Sequence, residues 1–494
     1  MKSRKYRDMK AKAFTIVSLL LIAVLGIFVR LYKVNGAIAD WHSWRQADTA
    51  AVARNYVQHG IDLLHPRYDD LSNIQTGYDN PEGYRMVEFP LYQGAAAWCF
   101  TTFGTFAIEL WLRILAIAAS TITGISLGVL VWRRINAITG VLTAFLYAIL
   151  PYSIFYGRAI LPDGISVCLA VVSILLFDIA GDAKKKTWIW ILTLIAAIVA
   201  GLALLVKPVA GFVLLPVIGI LLTNRKMIGT TLLRLVLFSV MTLVPFYLWR
   251  QWIAQYPEGI PVFMWLFNSN DIRFKGAWFY WLFAERISKL IFGYWGVLFL
   301  GLGLIEKIDK KEQLLSHLLG FGALLYMTIL ATGNVQHDYY QILILPALTV
   351  YGAKGMAWMI KRNWDAKGMQ KVAGIAVGLV VFAFTIFFSW YTVRTYYWIN
   401  RMEIIEAGTA ARELLPAGAR VIAPYNGDTT FLYQTGHQGW PLGFEIDKKI
   451  SMGATHYVTV SPTDMDLETR DLANMYTVLV RNDKFAIIDL TKKK

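Results

Sequence analysis

The chain has 494 residues, 56% hydrophobic and only 16% charged, with a formal net charge of +15. Soluble domains carry about a quarter charged residues, so this composition excludes an ordinary water-soluble protein and makes lipid the solvent for much of the surface. The positive excess would suggest nucleic acid in a soluble chain, but short basic loops beside anionic headgroups explain it here, and no nucleic-acid partner is expected.

Residues 1–34 start basic, run apolar from about Ala13 to Val29 and lead to Ala37-Ile-Ala39. That tripeptide has the look of a cleavage site, yet the apolar run is long for a signal peptide, so an uncleaved signal anchor fits better. Further apolar spans follow near 109–132, 136–156, 163–181, 187–206, 208–223, 230–250, 286–304, 313–332, 339–358 and 370–392, eleven with the first at 13–34. Residues 89–104 could make a twelfth. Placing them as a helix on the outer membrane surface keeps the basic clusters on one side: Lys2–Lys12, Arg133-Arg134, Lys184–Lys186, Arg225-Lys226, Lys307/Lys310/Lys311 and Lys361-Arg362/Lys367. By the positive-inside rule that side is cytoplasmic. The expected protein is a multi-pass inner-membrane protein with its N-terminus in the cytoplasm and about 11 transmembrane helices.

Three segments then face outward. The first, roughly 35–108, contains Gln46–His59, rich in helix formers and stopped by Gly60. The second, about 251–285, is rich in Trp, Phe and Pro. The third begins near 395, where strand-like alternation appears at 419–424, 455–461 and 477–489, with helical patterns near 402–415 and 463–476. This predicts a small extracytoplasmic α/β domain over 395–494 after a transmembrane catalytic domain over 1–394. The two cysteines, Cys99 and Cys168, lie in unrelated apolar stretches and suggest neither a disulfide framework nor a metal site.

The chemistry-bearing residues collect on the outer side. Asp40, His42, Arg45 and Asp48 fall within nine positions, interleaved with Trp44 and Gln46. An acid beside cations stays ionised and can act as a general base. Asp48 has a second reading: in a helix starting near Ser43 it would neutralise Arg45 at i,i+3. Glu88, before Phe89-Pro90, is either a helix-start signal or a second working carboxylate. Arg158 and Asp163 bracket a turn between spans, where they would pair with one another or serve a ligand. Lys207 ends a span on the side poor in cations, either snorkelling harmlessly or meeting a lipid phosphate. His337-Asp338-Tyr339-Tyr340 opens a further span with more hydrogen-bonding groups than an interfacial belt requires. A Gly-rich phosphate loop, HExxH, CxxC and nucleophile elbow are all missing from the sequence, so ATP-driven chemistry is not expected.

These marks together resemble the GT-C glycosyltransferases, with the protein O-mannosyltransferases and lipid A aminoarabinose transferases as the nearest groups. The resemblance covers roughly 1–390. It rests on the single span and acid-bearing loop, the run His42-x-Trp44-Arg45-Gln46-x-Asp48-Thr49 with Ala-Arg54-Asn55, the Glu-x-Pro motif at Glu88, the Arg158…Pro-Asp163 turn and the His337-x-Tyr-Tyr helix start. It implies transfer of a sugar from a polyprenyl-phosphate donor to a lipid, glycan or protein acceptor at the outer face of the membrane. In the family the catalytic acid sits in an Asp-Glu pair, whereas the corresponding slot here holds Arg45-Gln46, so Asp40 or Asp48 has to stand in. The family's Glu-Lys-Pro lysine is replaced by Phe89, leaving Arg158, Lys207 and His337 as candidates to stabilise the leaving phosphate. Trp44, Tyr339 and Tyr340 would shape the sugar pocket. No cofactor is required on this reading, although a divalent cation would fit between Asp48 and Asp163. Two competing readings are a flippase for lipid-linked sugars and a non-catalytic carrier-lipid binder. The first would call for ionisable residues in mid-span and two related halves, and the sequence has neither.

Overall fold

A computed structural model of the protein describes residues 2–223, 228–305 and 314–494, with the side chains of 2–8 and 222–229 excepted. The expected basic loops Arg225-Lys226 and Lys307/Lys310/Lys311 therefore lie outside the described residues, as do most side chains of the basic start. The chain gathers into two compact units, one of residues 1–34, 114–249 and 263–395 and the other of 35–113, 250–262 and 396–494.

The secondary structure of the first unit's described residues is helices and turns, as suits a backbone in hydrocarbon, where every N–H and C=O needs a partner within its own segment. Among the described residues six helices are long and apolar enough to cross a membrane: Met9–Arg30, Ile108–Arg134, Pro162–Asp182, Lys186–Val206, Thr230–Ile253 and Gly368–Tyr397. Each remaining expected span also falls on helix, but in pieces. The 136–156 span divides into Ala137–Ile149 and Pro151–Tyr156, and the 208–223 span into a 3₁₀ turn, Pro208–Phe212, and the helix Pro216–Thr223. The 339–358 span opens as a 3₁₀ turn, Asp338–Leu343, before the helix Leu345–Asp365. These three breaks lie within two residues of a proline, Pro151, Pro216 and Pro346, which lacks an N–H and clashes with the preceding turn.

Two details hold these helices in register. A Cβ at Gly303 would sit 1.9 Å from Tyr351 O, and one at Gly355 1.9 Å from Phe299 O, so the Val297–Ile305 and Leu345–Asp365 helices touch backbone to backbone. Arg30, 1% exposed, donates to the carbonyls of Gly26, Ala148, Tyr147 and Ser153 and to Ser153 Oγ, clamping the first helix to the break before Pro151. At the helix ends Arg133 and Arg134 both pair with the fully buried Asp178, and Arg133 reaches Asp182 at 2.7 Å.

The second unit is built on a five-stranded sheet of β1 (Arg420–Ile422), β2 (Gln438–Trp440), β3 (His456–Thr459), β4 (Tyr476–Arg481) and β5 (Ala486–Lys493), in spatial order β2-β1-β3-β5-β4. β1 runs parallel to β2 and β3, while β5 is antiparallel to β3 and β4. Alternate side chains leave opposite faces of a strand, and here they feed two cores. Val421, Val458 and Ile487 pack with Ile404, Ala407, Ala411 and Phe431 on one side. Ile422, Tyr457 and Ile488 pack with Trp440, Leu472 and Leu71 on the other. The edge strand β2 is covered by the first loop: Gly439 N–H donates to Asp69 O and Leu71 N–H to Gly439 O, each at 2.8 Å. The expected helices appear as Ser43–His59, Leu91–Phe103, Glu403–Leu414 and Leu467–Met475.

Candidate active site

In the second unit the Ser43–His59 helix positions most of the predicted residues. It begins after His42, whose backbone is left-handed at φ 56°, a conformation that costs energy for a residue with a Cβ. The Trp41 ring beside it stacks on Tyr396 at 4.9 Å, and Trp41 N–H donates to Tyr396 O. His42 and Trp44 are half-buried, Arg45 and Gln46 fully buried. Asp40, 9% exposed, accepts a 2.7 Å hydrogen bond from Gln46 Nε2.

The i,i+3 pairing of Arg45 with Asp48 does not form. Arg45 turns to Glu88 and donates to both carboxylate oxygens at 2.9 and 2.8 Å, while Gln93 donates to the same carboxylate at 3.2 Å. Asp48, whose side chain is wholly buried, instead receives Arg85 at 2.7 Å and the Thr429 hydroxyl at 2.7 Å. Glu88 stands two residues before the Pro90 cap of the helix that begins at Leu91. Further along the loop, Arg54 pairs with Asp69 and lies over the Tyr433 ring at 4.2 Å. Burial pushes the Asp70 carboxyl up to about 6 despite its hydrogen bonds from Ser72.

In the first unit the remaining predicted residues form two clusters. Asp163 stands in the first turn of the Pro162–Asp182 helix, where an acid suits the positive helix end. It pairs with Lys207 at 3.5 Å rather than with Arg158, and its Oδ2 has no hydrogen-bond partner among the described residues. Arg158, 1% exposed, donates to Lys33 O and lies over the Phe155 ring. The second cluster surrounds Asp338, which accepts a 2.5 Å bond from the Tyr156 hydroxyl and has Arg286 at 3.8 Å. Tyr339 and Tyr340 are 3% and 8% exposed, too buried for a lipid-facing belt, and the His337 ring lies 5.6 and 6.0 Å from theirs. Sequence reading missed Arg85, Thr429, Tyr156 and Arg286. Arg85 and Tyr156 lie 37 and 182 positions from the carboxylates they serve, beyond the reach of any local spacing. Among the described residues no group of three or more His, Cys, Asp or Glu is arranged to hold a metal ion.

Known structures share this architecture. ArnT from Cupriavidus metallidurans, bound to undecaprenyl phosphate, superimposes with a TM-score of 0.64 over 96% of this chain and 97% of its own, at 14% identity. The chain has the GT-C fold. The Archaeoglobus fulgidus oligosaccharyltransferase matches the same GT-C fold with a TM-score of 0.55 and 11% identity, covering 90% of this chain and 67% of that one. The mycobacterial arabinofuranosyltransferase AftD matches at 0.57 and 14% identity, covering 95% and 41%. A family described as dolichyl-phosphate-mannose-protein mannosyltransferase matches residues 90–249. No curated protein matches the sequence. With these GT-C neighbours and its apolar helices, the protein is a multi-pass membrane protein carrying a small α/β sheet domain at its C-terminal end.

Proposed function

We propose that this protein is a glycosyltransferase that moves a sugar from a polyprenyl-phosphate donor to a lipid, glycan or protein acceptor at the outer face of a cell membrane. The observation that carries the reading is the GT-C fold shared along nearly the whole chain with ArnT bound to undecaprenyl phosphate. Asp40 is the general base. It takes the proton of an acceptor hydroxyl, the oxygen attacks the anomeric carbon, and the lipid phosphate departs. The choice of Asp40 over Asp48 is supported by the engagement of Asp48 with Arg85 and Thr429, which suits a structural ion pair. Glu88, gripped by Arg45, positions that arginine. Arg158, Lys207 and Arg286 offer the positive charge a leaving phosphate needs, so no divalent ion is required.

The test is release of labelled sugar from polyprenyl-phosphate donors by protein in lipid nanodiscs. Asp40→Asn should lower kcat by roughly 10²-fold or more, and wild-type release should persist in EDTA. Wild-type turnover by Asp40→Asn would remove the base assignment, and no release across a broad donor panel would remove the transferase reading.

The proposed orientation puts the N-terminus in the cytoplasm and the tail outside the inner membrane. Met465 is 92% exposed on the tail, and both native cysteines are buried. Met465→Cys should therefore react with an impermeant maleimide in spheroplasts without permeabilisation; labelling only after lysis would reverse the orientation.

A further inference from the structure

The end of the Ser43–His59 helix opens into a cavity of about 360 Å³ that none of the predicted site residues enters. Its lining comprises Asn55, Tyr56, His59, Asp62, Arg67 and Tyr84, together with His65 and Gly60, all from the first loop. The volume is at the small end of the range for ligand pockets, about 300–1,000 Å³. We infer that this cavity binds a neutral pyranose or furanose ring, and that it is the subsite for a sugar of the acceptor glycan.

Three features point to a sugar. The first is an aromatic wall. His65 and Tyr84 line the cavity, with Tyr256 packed against them at 5.6 and 5.0 Å between ring centroids and Trp252 5.5 Å from His65. The C–H face of a sugar ring packs on such electron-rich faces. Second, the polar groups are held in fixed orientations. Asp62 accepts from His65 Nδ1 at 2.8 Å, His65 Nε2 shares a 3.1 Å hydrogen bond with the Tyr256 hydroxyl, and the second carboxylate oxygen takes the Leu64 N–H. Asn55 is fixed by its bonds to Ala51 O and Asp69. The third feature is unmet demand. Tyr56 is 3% exposed, yet its hydroxyl has no hydrogen-bond partner among the described residues, a costly state that a bound hydroxyl could relieve.

Charge disfavours a phosphate here. The Asp62 carboxylate is among the lining groups, and the Arg67 guanidinium is already paired with Glu82 at 2.8 Å. The histidines and acid do not converge as metal ligands. What remains is a neutral ligand with several hydroxyls and an apolar face.

The role as acceptor subsite rests on the transferase reading above; the binding itself does not, and its test uses no donor. Saturation-transfer NMR would be recorded on the full-length protein in nanodiscs with the methyl glycosides of mannose, glucose, galactose and arabinose in turn. At least one should receive saturation, with affinity reduced at least tenfold in Tyr84→Ala and Asp62→Ala and retained in Tyr84→Phe. Asp62 is a useful second site because its side chain is 59% exposed and its loss spares the core. Absence of transfer to every glycoside, or equal transfer in wild type and Asp62→Ala, would overturn the inference. Loss of glycoside binding on saturation with polyprenyl-phosphate sugar would assign the cavity to the donor and overturn the acceptor role. Failure of glycoside binding leaves the transferase reading standing, because release of sugar from the labelled donor is measured separately.

Discussion

Asp40 and Asp48 are the same side chain eight residues apart with different partners, Gln46 for the first and Arg85 and Thr429 for the second. Asp48 is buried with Arg85, so removing either partner leaves a charge in a medium that solvates it poorly. Asp70 carries a subtler consequence. Its folded-state value of about 6 lies above the roughly 3.9 expected for an unfolded chain, so the folded protein holds a proton there that the unfolded chain has released. This group therefore favours folding below about pH 4, and its contribution fades as pH rises to about 6, a difference on the order of 3 kcal/mol. Asp70→Asn should raise the thermal midpoint at pH 7.5 more than at pH 5; an equal shift at both values would contradict the assignment. None of this was visible in the sequence, where Asp69-Asp70 looks like an ordinary polar turn. The local acids and bases could be read as a cluster, but their pairing could not, because Arg45 bypasses a neighbour three residues away for Glu88 43 positions on.

At the scale of elements the sequence was more informative, because apolar length and basic punctuation are dictated by the bilayer itself. The spans, the helix ended by Gly60 and the β4–β5 hairpin could all be placed beforehand. The short pieces were lost: β2 is only Gln-Gly-Trp, too brief to alternate, and the Thr429–Thr435 and Ile446–Ser451 helices carry no periodic apolar face long enough to detect. The breaks at Pro151 and Pro208 follow from chemistry that was plainly written, but their purpose emerges only with Arg30. That guanidinium fills the gap where the Ala137–Ile149 helix stops, against Gly157, whose Cβ would meet Arg30 Nε at 2.3 Å. Arg30→Met should lower unfolding stability by about 2–4 kcal/mol through the lost charged hydrogen bonds, measurable as a lower thermal midpoint in detergent. An unchanged midpoint would show the clamp to be dispensable.

Across the whole molecule, the tail and the first loop share one unit. Thr429 bonds Asp48, Gln434 donates to Ile38 O, Arg54 reaches Tyr433 O, and β2 takes the Asp69–Leu71 backbone as its neighbour. Deleting 396–494 should therefore abolish transfer and make the 60–90 stretch sensitive to limited proteolysis, whereas a protected, active truncation would show the loop folding unaided. The same arrangement has a consequence in time. Asp48 leaves the ribosome 381 residues before Thr429, so at about 5–20 residues per second the loop exists for tens of seconds before its partners do. Through that interval its arginines and aspartates have only water and one another, and the first loop is the last part of the protein to mature.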